Sequence, residues 1–251
     1  FPLCETAVEQ SRAVIVHNRF ASELLRRYCP DAPVTVVPHG VPLLPPGNRA
    51  AARAALGLPQ DALVVAAVGA LIPEKRLEVA LGAFARALFG LREAVFVIAG
   101  AGSRHYDPAG FIAAQGLAPV VRQLGWVDAA IFERVLVAAD LCVNLRWPTG
   151  GETSGSLLRM LAAGRATIVS AAGSFTETPD DACITVPVGA SEEDALACAM
   201  LRAAREPGWA DRIGAAGRAF VAREHSLDCA ARGYQDVIAQ VVGANTEDGR
   251  A

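Results

Sequence analysis

A glycine-rich loop followed by a short helix carries the densest set of reactive side chains in this sequence. Residues 148–164 read PTGGETSGSLLRMLAAG, with a carboxylate at Glu152 and hydroxyls that include Ser154 and Ser156. The helix is predicted to begin near Ser154, so its first free N–H groups would point into the loop, where their positive dipole suits a phosphate. Gly155 leaves room for a ligand to approach the backbone. The alternative is an ordinary strand-to-helix connection, in which the serine is only an N-cap and Glu152 only a partner of the helix N-terminus.

Two cations follow the first strand of the predicted sheet. That strand, residues 63–68, ends at Gly69, and Lys75 and Arg76 come a few residues later. Taken by themselves, the two cations are interpreted as part of a solvated helix start, with both side chains facing water.

Two further loops give weaker signals. Gly100 and Gly102 form a Gly-x-Gly after a strand, but His105 stands where a dinucleotide-binding fingerprint has its third glycine. Trp126 and Val127 follow the next strand, and Trp126 could either stack on a planar ligand or pack in the core. These loops therefore become informative only if they meet the first two.

The pattern of apolar runs predicts the fold class. Continuously apolar strand segments alternate with helical spacing, and the predicted strands of the main sheet are residues 63–68, 94–99, 120–124, 140–143, 165–170 and 183–186. Such runs indicate an α/β fold, a Rossmann-like parallel sheet with helices on both faces. Ligands bind such sheets at the carboxyl ends of the strands. We therefore expect about six strands, with Gly69, Gly100, Gly125 and Glu152 on one rim.

Composition limits the classes of function. The 251 residues are 53% hydrophobic with a net charge of −3 and an isoelectric point near 5.8, which predicts a sizeable core and no nucleic-acid partner. No run of 18 apolar residues and no basic leader occurs, which predicts a cytoplasmic location, with the membrane surface as the alternative. The six cysteines, at positions 4, 29, 142, 183, 198 and 229, have no metal or disulfide spacing and are interpreted as reduced core residues.

The order of these loops resembles the donor-binding half of GT-B glycosyltransferases, in particular the large retaining group called family 4 or group 1. The resemblance spans about residues 34–242 and rests on Glu152, Gly155 and the helix end at 162–164, which fit the family's donor-binding loop. Two positions depart from the pattern. Ala70 replaces an arginine that holds the donor diphosphate, and Arg159 stands where the family has a glutamate that holds the donor ribose.

The resemblance implies a site and a reaction. Lys75 would hold the diphosphate, with Arg76 as the candidate replacement for the missing arginine, and Glu152 would lie near the reacting centre as the catalytic residue. The remaining substrate-binding residues implied are Gly69, Gly100, Trp126, Val127, Gly155, Ser156, Arg159 and Glu177, the last in a loop similar to the family's Gly-Gly-x-x-Glu. The implied reaction transfers a sugar from a nucleotide diphosphate sugar to a glycan, lipid-linked or protein hydroxyl, usually with retention, without a cofactor and without a metal. The sequence contains no Asp-x-Asp of the metal-dependent GT-A class.

The resemblance also divides the chain. Residues 1–41 would end the acceptor domain and cross to the donor domain at 42–225, with a returning helix at 226–242 and a disordered tail at 243–251. Most of the acceptor domain would then be missing, or supplied by a partner subunit. Apolar surface is expected where residues 1–30 and the last helix meet it, at Val14, Val16 and Val237. His39, at the junction, is interpreted as structural. Two other functions remain open: a non-catalytic scaffold of the same fold, and a nucleotide-sugar epimerase or hydrolase.

Overall fold

The chain forms a six-stranded parallel sheet and a separate two-stranded sheet, in a computed structural model that describes residues 5–102 and 106–248. The strands are β1 (Val14–Val16), β2 (Val34–Val36), β3 (Leu63–Val68), β4 (Ala94–Ala99), β5 (Val121–Gly125), β6 (Leu141–Asn144), β7 (Ala166–Ser170) and β8 (Ile184–Val186). The helices are α1 (Glu5–Glu9), α2 (Arg19–Tyr28), α3 (Arg49–Ala55), α4 (Leu77–Leu88), α5 (Ala109–Ala114), α6 (Ala129–Ala138), α7 (Gly155–Ala162), α8 (Glu192–Arg205), α9 (Trp209–Glu224) and α10 (Leu227–Asp248). Short 3₁₀ turns span Pro73–Lys75 and Gly173–Glu177.

The main sheet confirms the predicted α/β architecture. Its strand order is β5-β4-β3-β6-β7-β8, and every pair in it is parallel. The first strand of this sheet in chain order, β3, lies in its middle. The chain then adds β4 and β5 towards one edge, returns to place β6 on the other side of β3, and adds β7 and β8 towards the opposite edge. Ligand crevices of doubly wound sheets form where the strand order reverses in this way. The carboxyl ends of β3 and β6 are therefore the expected position of a site.

Alternating residues of the central strand explain why both faces of the sheet are covered. Leu63 and Val65 of β3 pack with α4 and α8 in one cluster of buried residues. Val64, Ala66 and Val68 of the same strand pack with α3 and α6 in another. Since successive side chains of a strand point to opposite faces, a continuously apolar strand requires helices on both.

The last helix differs from its expected bounds. It was predicted at 226–242 with a disordered tail from 243, but α10 continues to Asp248, so the expected start of the tail is wrong. The rest of the predicted tail, 249–251, lies outside the described residues, as do residues 1–4.

The packing of α10 also corrects one expected surface residue. Val237 is buried, at 5% exposure, and it shares a helix face with Ala230 and Gly233, seven and four residues earlier. That face meets the segment after β2, since a Cβ added at Gly233 would lie 2.8 Å from a methyl of Val37. Residues 37–40 and α10 thus pack together, and Val237 is covered by the chain itself.

Two of the cysteines match the interpretation as core residues. Cys142 and Cys183 are buried, and burial raises the pKa of each thiol to about 12. Cys29 and Cys229 are partly exposed and Cys198 is exposed, so the interpretation is wrong for these three. Cys198 lies in α8 on a helix face that points away from the sheet. Cys4 lies outside the described residues.

No helix within residues 5–102 and 106–248 has both the length and the apolar character that spanning a bilayer requires.

Two glycines bring the ends of β3 and β4 into direct backbone contact. A Cβ added at Gly100 would lie 1.9 Å from the carbonyl oxygen of Gly69. No side chain can occupy that space, so Gly100 is required for the two loops to meet.

Gly100→Ala should therefore force the loops apart and lower the free energy of unfolding by about 1–3 kcal/mol, the usual cost of overpacking. Gly110, in α5, is the matched control because an added Cβ there would meet nothing within 4 Å. Gly110→Ala should instead raise the free energy of unfolding by roughly 0.5–1 kcal/mol, since alanine is the better helix residue. Urea denaturation of both variants measures the difference, and equal stabilities would contradict the assigned contact.

Candidate functional site

The four residues predicted to share one rim do so. Gly69 and Gly100 directly follow β3 and β4, Gly125 ends β5, and the loop that contains Glu152 follows β6. All four strands are parallel, so their carboxyl ends lie on the same edge of the sheet. The loops that carried the sequence argument therefore form one surface.

The N-terminus of α7 is held open by a network of hydroxyls. The Ser154 side chain caps the helix by accepting from the N–H of Leu157 at 3.2 Å. Asn144, at the end of β6, donates to the Ser156 hydroxyl at 2.9 Å and accepts from the Ser154 hydroxyl at 3.1 Å. The N–H groups of Gly155 and Ser156 have no partner within the helix, which leaves them available to an anion. Sequence reasoning missed Asn144, although its place at a strand end could have identified it.

Lys75 shares the space above Gly69 with Ser156. A Cβ built on Gly69 would lie 2.8 Å from Lys75 Nζ and 3.7 Å from Ser156 Oγ. Lys75 is the only lysine in the sequence, and its Nζ donates a long bond of 3.4 Å to the Val68 carbonyl. Burial, and then the positive charge of Arg146, lower the pKa of Lys75 to about 8. The lysine and the start of α7 therefore converge, as the sequence predicted.

Arg146 is a second cation at this rim, which sequence reasoning missed. It lies two residues after the end of β6 and is 8% exposed, and its backbone N–H donates to the Ser170 hydroxyl at 2.9 Å. Its Nε lies 3.0 Å from Glu152 Oε1. The loop that carries it is joined to the turn that carries Lys75, because the Trp147 N–H donates to the Glu74 carbonyl at 2.8 Å. The rule that ligands meet strand ends was applied to the other loops and would have found Arg146 here.

Glu152 lies at the rim but is engaged by its own loop. Besides Arg146, its carboxylate accepts from the N–H of Gly150 at 2.9 Å and from the Thr149 hydroxyl at 3.1 Å. Its side chain is 42% exposed. These partners are not the free amides of α7, so the alternative interpretation as a partner of the helix N-terminus does not describe its contacts. Its catalytic role stays a prediction.

Arg76 does not face the candidate anion site. It occupies the left-handed region at φ 51°, and its guanidinium binds both oxygens of Glu192, with Nε 3.0 Å from Oε1 and Nη2 2.5 Å from Oε2. Glu192 is only 1% exposed. A carboxylate buried so deeply requires a charged partner, and Arg76 provides it. Arg76 is thus engaged by Glu192, and its expected role as the replacement for the missing arginine stays a prediction.

Arg159 also lies elsewhere than expected. Its guanidinium stacks on the Phe132 ring, 4.1 Å from the centroid, and its Nη2 is 3.4 Å from Glu133 Oε1. Both partners belong to α6, so the helix face that carries Arg159 points toward α6 and away from the Lys75 turn. Cation–π stacking and an ion pair hold Arg159 at the helix interface, and its expected role in substrate binding stays a prediction.

Glu177 connects the first segment of the chain to the main sheet. Its carboxylate accepts from the N–H groups of Arg19 and Phe20, at 3.0 and 2.7 Å, and so occupies the N-terminus of α2. Asn18, the N-cap of α2, donates to the carbonyl of Gly151 in the glycine-rich loop at 2.8 Å. Both carboxylate oxygens of Glu177 thus join two elements, and its expected role in substrate binding stays a prediction.

The loops after β4 and β5 enclose a cleft beside the Lys75 site. It has a volume of about 340 Å³ and is lined by Leu71, Ile98, Gly100, Gly102, Asp107, Gln123 and Gly125. Trp126 is 78% exposed, so the alternative that it packs in the core is wrong. Val127 packs against the α3–α6 face. Ser103 and His105 of the Gly-x-Gly loop lie outside the described residues.

His39 lies at the junction between the segments, near the start of α7. Its ring meets His17 edge to face at 5.4 Å between centroids, and its Nε2 would be 3.8 Å from a Cβ at Gly155. Burial, followed by the charges of His17 and His225, lowers the pKa of His39. Across the described ranges, no group of three or more His, Cys, Asp or Glu side chains is placed to hold a metal ion.

Three comparisons place the chain among known proteins. Residues 62–206 match the family model described as "Glycosyl transferases group 1". The chain is 32% identical over 217 residues to the D-inositol 3-phosphate glycosyltransferase of Actinosynnema mirum, covering 81% of this chain and 51% of the relative. It is 32% identical over 258 residues to that of Streptomyces griseus, covering 92% and 54%. The chain thus spans about half the length of these relatives.

Solved structures share the fold. Sucrose-phosphate synthase from Thermosynechococcus elongatus superposes with a TM-score of 0.83 at 25% identity, over 96% of this chain and 61% of that one. HepE of Anabaena, in complex with UDP and glucose, superposes with a TM-score of 0.78 at 16% identity, over 97% and 66%. With its parallel sheet, its glycine-lined rim and a family model that matches more than half of its residues, the chain belongs to the group 1 glycosyltransferases.

Proposed function

We propose that this chain is the donor-binding half of a retaining, metal-independent glycosyltransferase that uses a nucleotide diphosphate sugar and needs no cofactor. The observation that carries the proposal is the convergence of Lys75 and the N-terminus of α7 over Gly69. A lysine and free helix amides are the groups that bind phosphate oxygens. The relatives named as glycosyltransferases and the UDP in the HepE structure support the same donor class.

The chemical role of this site would be to stabilise the leaving group. Breaking the bond between sugar and phosphate leaves negative charge on the departing diphosphate. Fixed N–H groups and a nearby cation stabilise such charge without having to reorganise. Lys75 and the amides of Gly155 and Ser156 would supply this effect, while Glu152 would lie near the sugar.

The remaining parts of the donor would lie along the rim. The cleft next to Gly100 and Gly125 has room for the base, and the exposed Trp126 provides an aromatic face at its edge. Because Arg159 replaces a glutamate expected to hold the ribose, the proposal includes weakened selectivity for the ribose hydroxyls. The acceptor would be a hydroxyl of a glycan, lipid-linked or protein substrate, and the relatives named for D-inositol 3-phosphate add a phosphorylated polyol to those classes.

An apolar cleft marks where an acceptor half would pack. Its volume is about 460 Å³, and it is lined by Glu5, Val8, Val14, Val16, Ala21, Leu24, Leu25, Tyr28, Cys29 and Gly150. Val14 and Val16 therefore lie beside open apolar surface, as the sequence analysis expected. Covering that surface would also bring the acceptor to the loop at Gly150, next to Glu152.

A non-catalytic scaffold is the second candidate. Arg76, Arg159 and Glu177, three residues expected at the donor, are bound to protein groups instead. A chain that had lost donor binding would retain such structural contacts and gain nothing from Lys75. Binding of UDP or GDP separates this candidate from the proposed function, and product analysis with a donor sugar separates transfer from epimerisation or hydrolysis.

Lys75→Ala should weaken UDP or GDP binding by about 1.5–3 kcal/mol, the scale of a hydrogen bond to a charged group. The matched control is Arg86→Ala, which removes one positive charge from an exposed position in the last turn of α4. Isothermal titration calorimetry should show unchanged affinity for the control. Equal affinity of the wild type and Lys75→Ala would leave the scaffold candidate as the better one.

The lowered pKa of Lys75 predicts a pH dependence. As pH rises through about 8 the amine loses its charge, so affinity for a diphosphate should fall between about pH 7 and about pH 9.5. Arginine stays protonated over this range, so the affinity of Lys75→Arg for a diphosphate should change little with pH. Since Lys75 is the only lysine, reductive ¹³C-methylation gives a single lysine signal, whose titration by NMR should shift upward when UDP binds. A Lys75 pKa that is the same with and without UDP would contradict the contact between Lys75 and the diphosphate.

Leu25→Asp should prevent co-purification with a separately produced acceptor half of a group 1 relative, because it places a charge in the apolar cleft. UDP affinity should remain that of the wild type, since the cleft is separate from Lys75. The control is Leu43→Asp, which places the same charge at an exposed residue outside the cleft. If the acceptor half still co-purifies with Leu25→Asp, this cleft is not the surface on which the acceptor half packs.

A further inference from the structure

The rim carries more buried positive charge than its own carboxylates balance. Lys75 has no carboxylate within ion-pair distance among the described residues, and its pKa is lowered by burial and by Arg146. Arg146 has one carboxylate partner, Glu152, whose side chain is 42% exposed. The positive end of α7 begins three residues after Glu152. Two cations and a helix dipole facing one partly solvated carboxylate form a site that favours an added anion.

The guanidinium of Arg146 is also incompletely bonded. Its Nε is buried and lies 3.0 Å from Glu152 Oε1, but no atom of the described residues meets hydrogen-bond geometry with it. A buried N–H without an acceptor costs free energy, and native structures seldom keep one without a role. The carboxylate of Glu152 therefore balances the positive charge of Arg146, but the Nε–H of Arg146 forms no hydrogen bond with the described residues.

A purely structural role for this pair explains the contacts less well. The loop that carries Glu152 is already fixed by the Gly150 N–H and the Thr149 hydroxyl, and by the Ser174 hydroxyl, which donates to the Glu152 carbonyl at 2.8 Å. The backbone of Arg146 is fixed by Ser170. An ion pair is not needed to hold either loop, and placing a second cation near Lys75 is unfavourable unless an anion comes between them.

We infer that Arg146 is a second phosphate-binding cation of the donor site, and that Glu152 neutralises its charge until the diphosphate binds. This inference rests on the proposed function, and it assigns a second phosphate-binding cation to a rim at which Arg76 is engaged by Glu192. The Trp147 to Glu74 hydrogen bond fixes the two cation-bearing loops relative to each other, so Lys75 and Arg146 reach the diphosphate together. Donor binding shifts the guanidinium from the carboxylate to phosphate oxygens and completes the bonding of Nε.

Arg146→Ala should reduce UDP affinity roughly 10-fold or more, the scale of a charge-assisted hydrogen bond. Arg146→Lys should recover only part of the loss, because lysine has no planar pair of donors. The loss should be larger for UDP than for UMP, since the second phosphate is the group expected to meet both cations. Arg86→Ala remains the control for the loss of one charge. Thermal unfolding of each variant establishes that the protein measured is folded.

Glu152→Gln distinguishes two roles of Glu152. Its carboxylate either neutralises Arg146 in place of the diphosphate, as a stand-in, or contacts the donor itself. For a stand-in, the substitution removes the competing negative charge with little change in shape, so UDP affinity should rise several-fold. In Arg146→Ala the pKa of Lys75 should also rise, because the like charge that lowers it is gone. The ¹³C-methyl signal of the single lysine reports that change without any ligand.

The outcomes distinguish the inference from the function on which it rests. If the wild type binds neither UDP nor GDP, the proposed function fails and the inference fails with it. If Lys75→Ala weakens UDP binding while folded Arg146→Ala binds as the wild type does, the function stands and the role of Arg146 is overturned. If Glu152→Gln weakens UDP binding, Glu152 contacts the ligand and is not a stand-in. A Lys75 pKa unchanged in Arg146→Ala would contradict the proximity of the two cations.

Discussion

The burial of two cations, Lys75 and Arg146, at one rim is the constraint on which the rest of the site depends. Burial removes water from each charge and the two charges repel each other, and the pKa of Lys75 is lowered first by burial and then by Arg146. The protein tolerates this arrangement because the surrounding backbone fixes both groups in place. The Lys75 turn is attached to the Arg146 loop, and Arg146 itself is attached to Ser170 at the end of β7. Such a strained cluster is the kind of environment in which functional sites are found.

The sheet supplies the rigidity that this arrangement needs. Parallel strands end on one edge, so loops that are far apart in sequence meet there. The contact between Gly69 and Gly100 removes any space for side chains between β3 and β4, which leaves the volume above Gly69 to Lys75 and Ser156. Asn144 then orients the hydroxyls at the start of α7. Each of these features lies at a strand end or a helix cap.

The first forty residues are joined to the same rim by polar contacts. Asn18 donates to the loop carbonyl at Gly151, and Glu177 accepts from the start of α2. An element that carries the open apolar cleft is therefore attached directly to the loop of Glu152. The cleft and the donor rim meet at Gly150, so an acceptor half packed on the cleft would be placed by the same contacts that position the donor site.

The sequence by itself determined the architecture and the location of the site. The continuously apolar runs fixed β3 and β4 to the residue, because a strand buried on both faces cannot carry polar side chains. Glycine at 69, 100 and 125 and the N-cap at Ser154 placed the loops, because backbone geometry at strand and helix ends is a local property.

Tertiary structure alone decided which charged side chains reach the site. Arg76, Arg159 and Glu177 had the right type and position along the chain, yet Glu192, Phe132 and the start of α2 bind them elsewhere. Arg146 and Asn144 belong to no local motif, and only their position at the end of β6, an element predicted from sequence, could have indicated them. A long charged side chain is directed by whichever opposite charge, aromatic ring or free donor is nearest in space, and the partners named here lie from 27 to 158 residues away in sequence. Periodicity and capping do not encode such distances, so the elements followed from sequence and the ion pairs did not.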